Sequence, residues 1–331
     1  FNNTAGWGGG LHTTDSGSAT VEGCTFFNNE ATQQGGAIYS RGPMTVTNTT
    51  LSANTAAAAG GGMAAWLADY TLVHATVVNN GGAFNGGGVF IGSGTLNIEN
   101  SIVAGNTSSV TGPDIRNQNS VIIPAGANLI GDHSAVSTEF PLGALVGNTA
   151  NPVDPMLAPL ADIGGPTQAL LPLLGSLAVD SALTTANSPM TDQRGFPRPG
   201  GSASDLGAVE IVISGSSSPA TGQLGVGSRP TLSWNGPSSG VSFEVFLNEG
   251  SGFVSLGQTT NTEWLITTSL ALNTTYQWRV DTTIGTDTVV GEIWSFTTQS
   301  TFTVVTTTLD ENDPDFGLGA GDSLREVIAA A

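Results

Sequence analysis

Gly35-Gly36-Ala37-Ile38-Tyr39-Ser40-Arg41-Gly42-Pro43-Met44-Thr45-Val46-Thr47-Asn48-Thr49-Thr50-Leu51-Ser52-Ala53-Asn54 is the stretch on which the fold turns, because its two landmarks return along the chain. Gly-Gly pairs stand at Gly9-Gly10, Gly35-Gly36, Gly61-Gly62 and Gly87-Gly88, at intervals of 26 residues. Asparagines stand at Asn3, Asn29, Asn54, Asn80 and Asn106, at intervals of 26, 25, 26 and 26. All but the first follow an apolar residue three positions earlier: Phe26, Leu51, Val77 and Val103. Two columns sharing one period of this length indicate a solenoid.

No helical period runs between the landmarks. Ala19-Thr20-Val21-Glu22-Gly23, Met44 to Asn48, Tyr70-Thr71-Leu72-Val73-His74 and Leu96-Asn97-Ile98-Glu99-Asn100 align, with apolar residues at every second position over much of their length. They read as strands with one buried face. Gly and Asn gather between them, where a sharply turning chain needs positive φ. Short strands and tight corners of constant length bury an inner face only by stacking on their neighbours. The expectation is an all-β chain that opens with a parallel β-helix over residues 1–111, each coil advancing about 4.8 Å. Leu11, Ala37, Met63 and Val89 are expected to form one internal stack, and Val21, Val46, Leu72 and Ile98 another. The asparagine column predicts a ladder of amides, each bonded to the next as in stacked parallel strands.

Charge bounds the partners. The 331 residues carry seven Arg, no Lys, 26 acidic residues and a net charge of −19, a surface that repels nucleic-acid phosphates and anionic lipid. Nucleic acid is therefore excluded as a partner, and no segment is long and apolar enough for membrane insertion. Cys24 is the single cysteine and reads as a small packing residue in a column with Thr49, Ala75 and Ser101. Phe1 falls inside a coil, and the chain reads as an internal piece of something longer.

Beyond Asn106 the pattern loosens. Residues 112–213 read as irregular last coils and a cap, with Leu170-Leu171-Pro172-Leu173-Leu174 as a plug, and 214–222 as a Ser/Gly/Pro linker. From 223 to 298 longer alternating strands, among them Thr231 to Trp234, Ser242 to Leu247, Tyr276 to Val280 and Ile293 to Thr297, predict a small antiparallel sandwich. Residues 299–331 read as a β run, an acidic loop and a short helix, with Ser323 and Glu326 as its capping box.

Candidate chemistry is sparse. Glu22 and Glu99 share a column but lie three coils apart, about 14 Å by strand spacing, and no carboxylate pair converges. Asp15 and Arg41 read as a surface ion pair. His12, His74 and His133 have no second histidine at ligand spacing, so neither a catalytic residue nor a transition-metal site is assigned. Asp310, Asp313 and Asp315 offer carboxylates to calcium, but the loop lacks the EF-hand glycine and distal glutamate, and a solvated acidic loop is favoured. Apart from that calcium, no cofactor is expected. Tyr39 and Trp66, one coil apart in adjacent columns, suggest an aromatic platform for sugar. Among Asp192, Arg194, Arg198, Asp205 and Glu210, at least Arg194 is expected to pair with a carboxylate and clamp the cap.

Several segments resemble known families. Gly35-Gly36-Ala37-Ile38 and Phe26-Phe27-Asn28-Asn29 resemble the GGAI and FxxN repeats of polymorphic outer membrane proteins. Asn128 to Asp132, Leu160 to Thr167, Asp192 to Arg198 and Asp205 to Glu210 are similar to the choice-of-anchor Q region of large secreted bacterial proteins. Trp234, Thr275 to Val280 and Trp294 to Thr298 resemble a fibronectin type III module. Ser323-Leu324-Arg325-Glu326 resembles the CSLREA segment that opens β-helix domains in such giant proteins, with Asp322 in the cysteine's place. The fold these resemblances imply is a right-handed, pectin lyase-like parallel β-helix followed by a fibronectin type III/Ig-like sandwich. The function they imply is a non-catalytic structural or adhesive module of an extracellular bacterial filament or surface protein. Its partners would be further copies of itself, head to tail, and extracellular glycans or host cell surfaces. The joint would bury Val304, Leu324 and Ile328. The rival reading is a carbohydrate-binding or polysaccharide-processing β-helix whose active coils lie outside this sequence.

Overall fold

The computed structural model describes residues 1–14, 17–173, 175–211, 217–234, 236, 241–284 and 287–300. Its first part is a β-solenoid of five coils whose strands pair in parallel into four five-stranded sheets. In chain order these sheets begin at Thr4–Ala5, Leu11–Thr13, Ala19–Glu22 and Thr25–Phe27. The described strands include no helix.

The third sheet follows the sequence reading. Val21, Val46, Leu72 and Ile98 are register partners and all are buried. Ala19, Met44, Tyr70, Leu96 and Ile122 stack beside them, leaving Thr45, Thr71 and Asn97 on the outer face. The second sheet corrects it. Leu11 pairs with Ile38, not Ala37, and Ile38 continues to Met63 and Val89. Ala37 instead shares a column with Gly10, Gly62 and Gly88. From Asn3 to Leu11 there is one residue fewer than from Asn29 to Ile38, and the run Gly8-Gly9-Gly10 hides the slip. The structural column is Gly8, Gly35, Gly60, Gly86 and Gly112, all with φ between 57° and 70°. A Cβ at Gly35 would stand 2.3 Å from the Ile38 carbonyl oxygen, so only glycine fits that corner.

Coil five runs on to Leu129–Ile130. There Val136 and Phe140 enter the solenoid core and close its mouth, helped by a parallel bridge from Ile130 to Val146. Leu170 lies elsewhere, against Val78, Ile102 and Ala104 of the fourth sheet, and Leu171 belongs to a cluster shared with the sandwich. Leu174 of the expected plug lies outside the described residues. Residues 157–211 thus form a strap that climbs the flank of the coils, and Thr25 in coil one donates to the carbonyl of Gln168.

The sandwich has one sheet in the order Gln223–Val226, Trp294–Thr298, Thr275–Ile284, Val241–Asn248, Phe253–Thr259, with Asp287–Val289 paired to Thr275–Ile284. A second, two-stranded sheet joins Thr231–Ser233 to Glu263–Leu265. Trp278, Phe296, Tyr276 and Leu232 are fully buried between them. The Tyr276 hydroxyl accepts the Ala271 N–H at 2.9 Å, tying the loop before its strand to the core as a tyrosine corner does.

Candidate functional site

Three arrangements on the solenoid carry the molecule's polar chemistry: the amide ladder, the seat of the strap, and a groove beside that seat.

In the ladder, Asn3 Nδ2 donates to Asn29 Oδ1 at 3.0 Å, Asn29 to Asn54 at 2.8 Å, Asn54 to Asn80 at 2.9 Å and Asn80 to Asn106 at 3.0 Å. Each backbone N–H donates to the same acceptor. The row ends on a carboxylate, since Asp114 Oδ1 accepts both Asn106 Nδ2 at 2.8 Å and Asn106 N at 3.0 Å. Asp114 occupies the column of Gly62 and Gly88, where a Cβ would meet the ladder amides. Every amide dipole points its positive end toward this anion. Burial nevertheless pushes the Asp114 carboxyl up to about 6, against the lowering effect of its hydrogen bonds.

The strap sits on a corner column of left-handed residues. Asn48, His74 and Asn100 have φ of 45°, 46° and 48°, between Gly23 and Gly126. Asn48 Nδ2 donates to the Thr191 carbonyl at 2.7 Å, and Asn100 Nδ2 to that of Leu183 at 2.8 Å. One sheet over, Thr25, Thr50 and Thr76 align on the outside. Gln193 takes the Thr50 hydroxyl on Oε1 at 2.6 Å and gives Nε2 to Thr25 at 2.7 Å, while Thr76 accepts Ala208 N–H at 2.9 Å. Sequence reading missed this role, although three threonines in one column of consecutive coils were its signal.

Above the column lies a buried charge cluster. Arg194 is bidentate on Asp192 Oδ2, with Nε at 2.9 Å and Nη2 at 2.7 Å. Asp192 also accepts the backbone N–H groups of Arg194, Phe196 and Glu210. Arg198 Nη1 reaches Glu210 Oε2 at 2.6 Å, and Nη2 reaches the Gly207 carbonyl at 2.8 Å. Asp205 meets neither guanidinium through its carboxylate, which accepts the N–H of Asp180 and of Ile211. Burial, then the nearby Glu210 charge, pushes Asp205 up to about 7. Desolvation likewise raises Glu210 and lowers Arg198. His74 is fully buried here; neither ring nitrogen makes a well-formed hydrogen bond, though the Gly207 and Asp205 backbone groups lie close enough to favour its charged form. Desolvation, reinforced by the Arg198 charge, takes its pKa down to about 3.

The groove lies on the outer face of the third sheet, with a volume of about 530 Å³. Thr45, Thr47, Thr71, Val73, Asn97 and Glu99 form its floor and the strap's Asn187 one wall. Glu99 is 4% exposed, accepts the Thr185 hydroxyl, and takes Asn187 Nδ2 at 3.1 Å.

Other sequence candidates are not assembled into a site. Tyr39 is 7% exposed beneath Trp7 and His12, with ring centroids 4.8 Å and 5.1 Å away, so its face is covered. Trp66 packs on Phe90 and donates Nε1–H to Gln34. Glu22 heads the column of Glu99 at an exposed position, with Thr47 and Val73 between. No group of three His, Cys, Asp or Glu side chains gathers in metal-binding geometry among the described residues. Asp15, Asp310, Asp313, Asp315, Val304, Leu324 and Ile328 lie outside the described residues. The sequence matches no family model and no curated protein.

Proposed function

We propose that this chain is a non-catalytic structural module of an extracellular bacterial surface protein, a rigid solenoid stiffened by its own strap and built to continue into further units. The observation that carries the reading is the use made of buried charge: Asp192 with Arg194 and Glu210 with Arg198 lock the strap's own conformation, and Arg198 Nη2 also reaches Asn48 Oδ1 of the coils at 3.4 Å. Such pairs contribute little net stability but specify one arrangement, since removing either partner strands a buried ion. An outer surface of Thr, Ser and Asn suits the extracellular placement. At the far end Val136 and Phe140 fill the last coil. Stacking of a further coil on a parallel strand edge, covalently linked or from a second copy, is the contact such a module would use. A contact of that kind does not close on itself and yields a filament. Sedimentation and electron microscopy of the intact chain and of a form lacking 302–331 test this. Concentration-dependent fibres lost on the deletion are expected; a monodisperse monomer of the intact chain would overturn the assembly reading.

A further inference from the structure

We propose that the groove on the outer face of the third sheet binds a neutral oligosaccharide laid across the coils. Its floor is set by the register: Thr45, Thr71 and Asn97 form a fully polar column, and in the next column but one Thr47 and Glu99 flank Val73, two coils apart. Along the Thr45–Thr71–Asn97 column the groups are spaced by about 4.8 Å, the strand separation and of the order of one pyranose ring. The hydroxyls of Thr45, Thr47 and Thr71 make no hydrogen bond to the described protein and face the groove.

Charge sharpens the ligand class. The one carboxylate at the groove, Glu99, is almost wholly buried and has both oxygens tied to the strap through Thr185 and Asn187, so it anchors the wall and is not a free anionic site. No Arg lines the groove, and the whole chain carries −19, so an acidic polysaccharide meets repulsion with nothing to offset it. A metal cation would find a single carboxylate. An extended peptide gains affinity by adding to a sheet edge, but here the face of strands inside the sheet is presented and their backbone groups are already paired. A sugar chain supplies hydroxyls that both donate and accept, as the threonines and the asparagine amide require. Ile123 and Ala125 at the far end add apolar surface for the ring faces.

Affinity electrophoresis of the intact chain in native gels containing galactomannan, xyloglucan or hydroxyethylcellulose tests the proposal, with polygalacturonate as the acidic comparator. Retardation in at least one neutral gel is expected, and the double variant Thr45→Val/Thr71→Val should weaken it at least tenfold. Valine keeps shape and strand preference and removes only the hydroxyls; should the pair lower the urea midpoint, Thr71→Val alone is read instead. Thr20→Val, in the same column but outside the groove, should leave retardation unchanged. The proposal falls if no neutral gel retards the protein, if the double variant binds like the parent, or if polygalacturonate alone retards it. Mobility in the polysaccharide-free gel reports self-assembly separately, so failure of the filament reading and failure of the groove are distinct results.

Discussion

The coils are built of stacked strands and the strap has none among its described residues, only isolated bridges, and opposite kinds of interaction hold the two. Each coil repeats its neighbour's apolar residue at the same height, so Val46 lies between Val21 and Leu72, and an error in one coil is felt by two others. The strap has no neighbour like itself. It is tied by side chains about 143 positions away, such as Thr50 to Gln193 and Asn48 to Thr191, and by charges that the coils do not supply. Periodic packing makes the solenoid tolerant of composition but intolerant of polarity, whereas the strap should be intolerant of losing individual partners.

The largest effect that would test this contrast is Val46→Asp. A carboxylate in the dry stack costs several kcal/mol, on the order of 4, and should collapse the coils and the strap together in urea unfolding followed by circular dichroism. Thr45→Asn, one residue away on the outer face and copying Asn97 of the same column, should stay within about 0.5 kcal/mol of the parent. Equal losses would mean that the inside and outside of the third sheet are exchanged.

Next comes Arg198→Met. It strands Glu210 without its guanidinium and removes the bonds to the Asp205 and Gly207 carbonyls, so about 3–5 kcal/mol should be lost, confined to the strap. Limited proteolysis should then cut within 157–211 while the coils stay protected. Protection of the strap equal to the parent's would show that the charge cluster does not hold it. Asn54→Ala ranks third. It opens the ladder in the middle and leaves Asn29 Nδ2 without an acceptor, a cost of about 1–3 kcal/mol that should appear as a lowered melting temperature without selective strap cleavage.

How far the sequence reaches follows from the same contrast. Asn29, Asn54, Asn80 and Asn106 announce their ladder because parallel stacking converts one period in sequence into one contact in space. The slip that moved Ala37 out of the Leu11, Met63 and Val89 column, though not out of the core, arose where glycines adjoin one another and the period cannot say which is the corner. Asp114 was invisible as the ladder's terminus because it enters from the glycine column of another strand. Arg194 and Arg198 stood out as rare charges in a motif otherwise rich in Gly, Pro and Phe. That Asp192 serves one and Glu210 the other depends on how the strap bends, and no local pattern encodes it. Val136 and Phe140, lying in an irregular stretch, gave no periodic sign that they close the last coil.

The smallest effect, and the one that best separates the two regions, is the pH dependence carried by the strap's seat. Asn48 and Asn100 each bond the strap from the corner column, but His74 between them is buried without a well-formed hydrogen bond, near the Arg198 charge, with the Gly207 and Asp205 backbone only partly offsetting its desolvation. Its folded pKa of about 3 lies below the ordinary 6.5, so between those values the unfolded chain binds the extra proton and stability falls as pH falls. Asp205, raised from 3.8 to about 7, and Asp114, raised to about 6, act in the opposite sense, because the folded state takes up protons first and gains stability on acidification toward 4. In the parent these slopes oppose one another. Replacing His74 by asparagine keeps a residue suited to φ of 46° and matches its column neighbours. His74→Asn should therefore uncover a rise in stability from pH 7 to pH 4.5, with a change in slope of up to about 1.4 kcal/mol per pH unit, the equivalent of one proton. Asp205→Asn should remove much of that rise. Both slopes should be read from strap proteolysis as a function of pH, while the coils, whose Asp114 is untouched, keep their own acid-side gain. If His74→Asn leaves the pH profile of strap release unchanged, the histidine does not titrate against the strap, and the seat is held by Asn48, Asn100 and the two ion pairs alone.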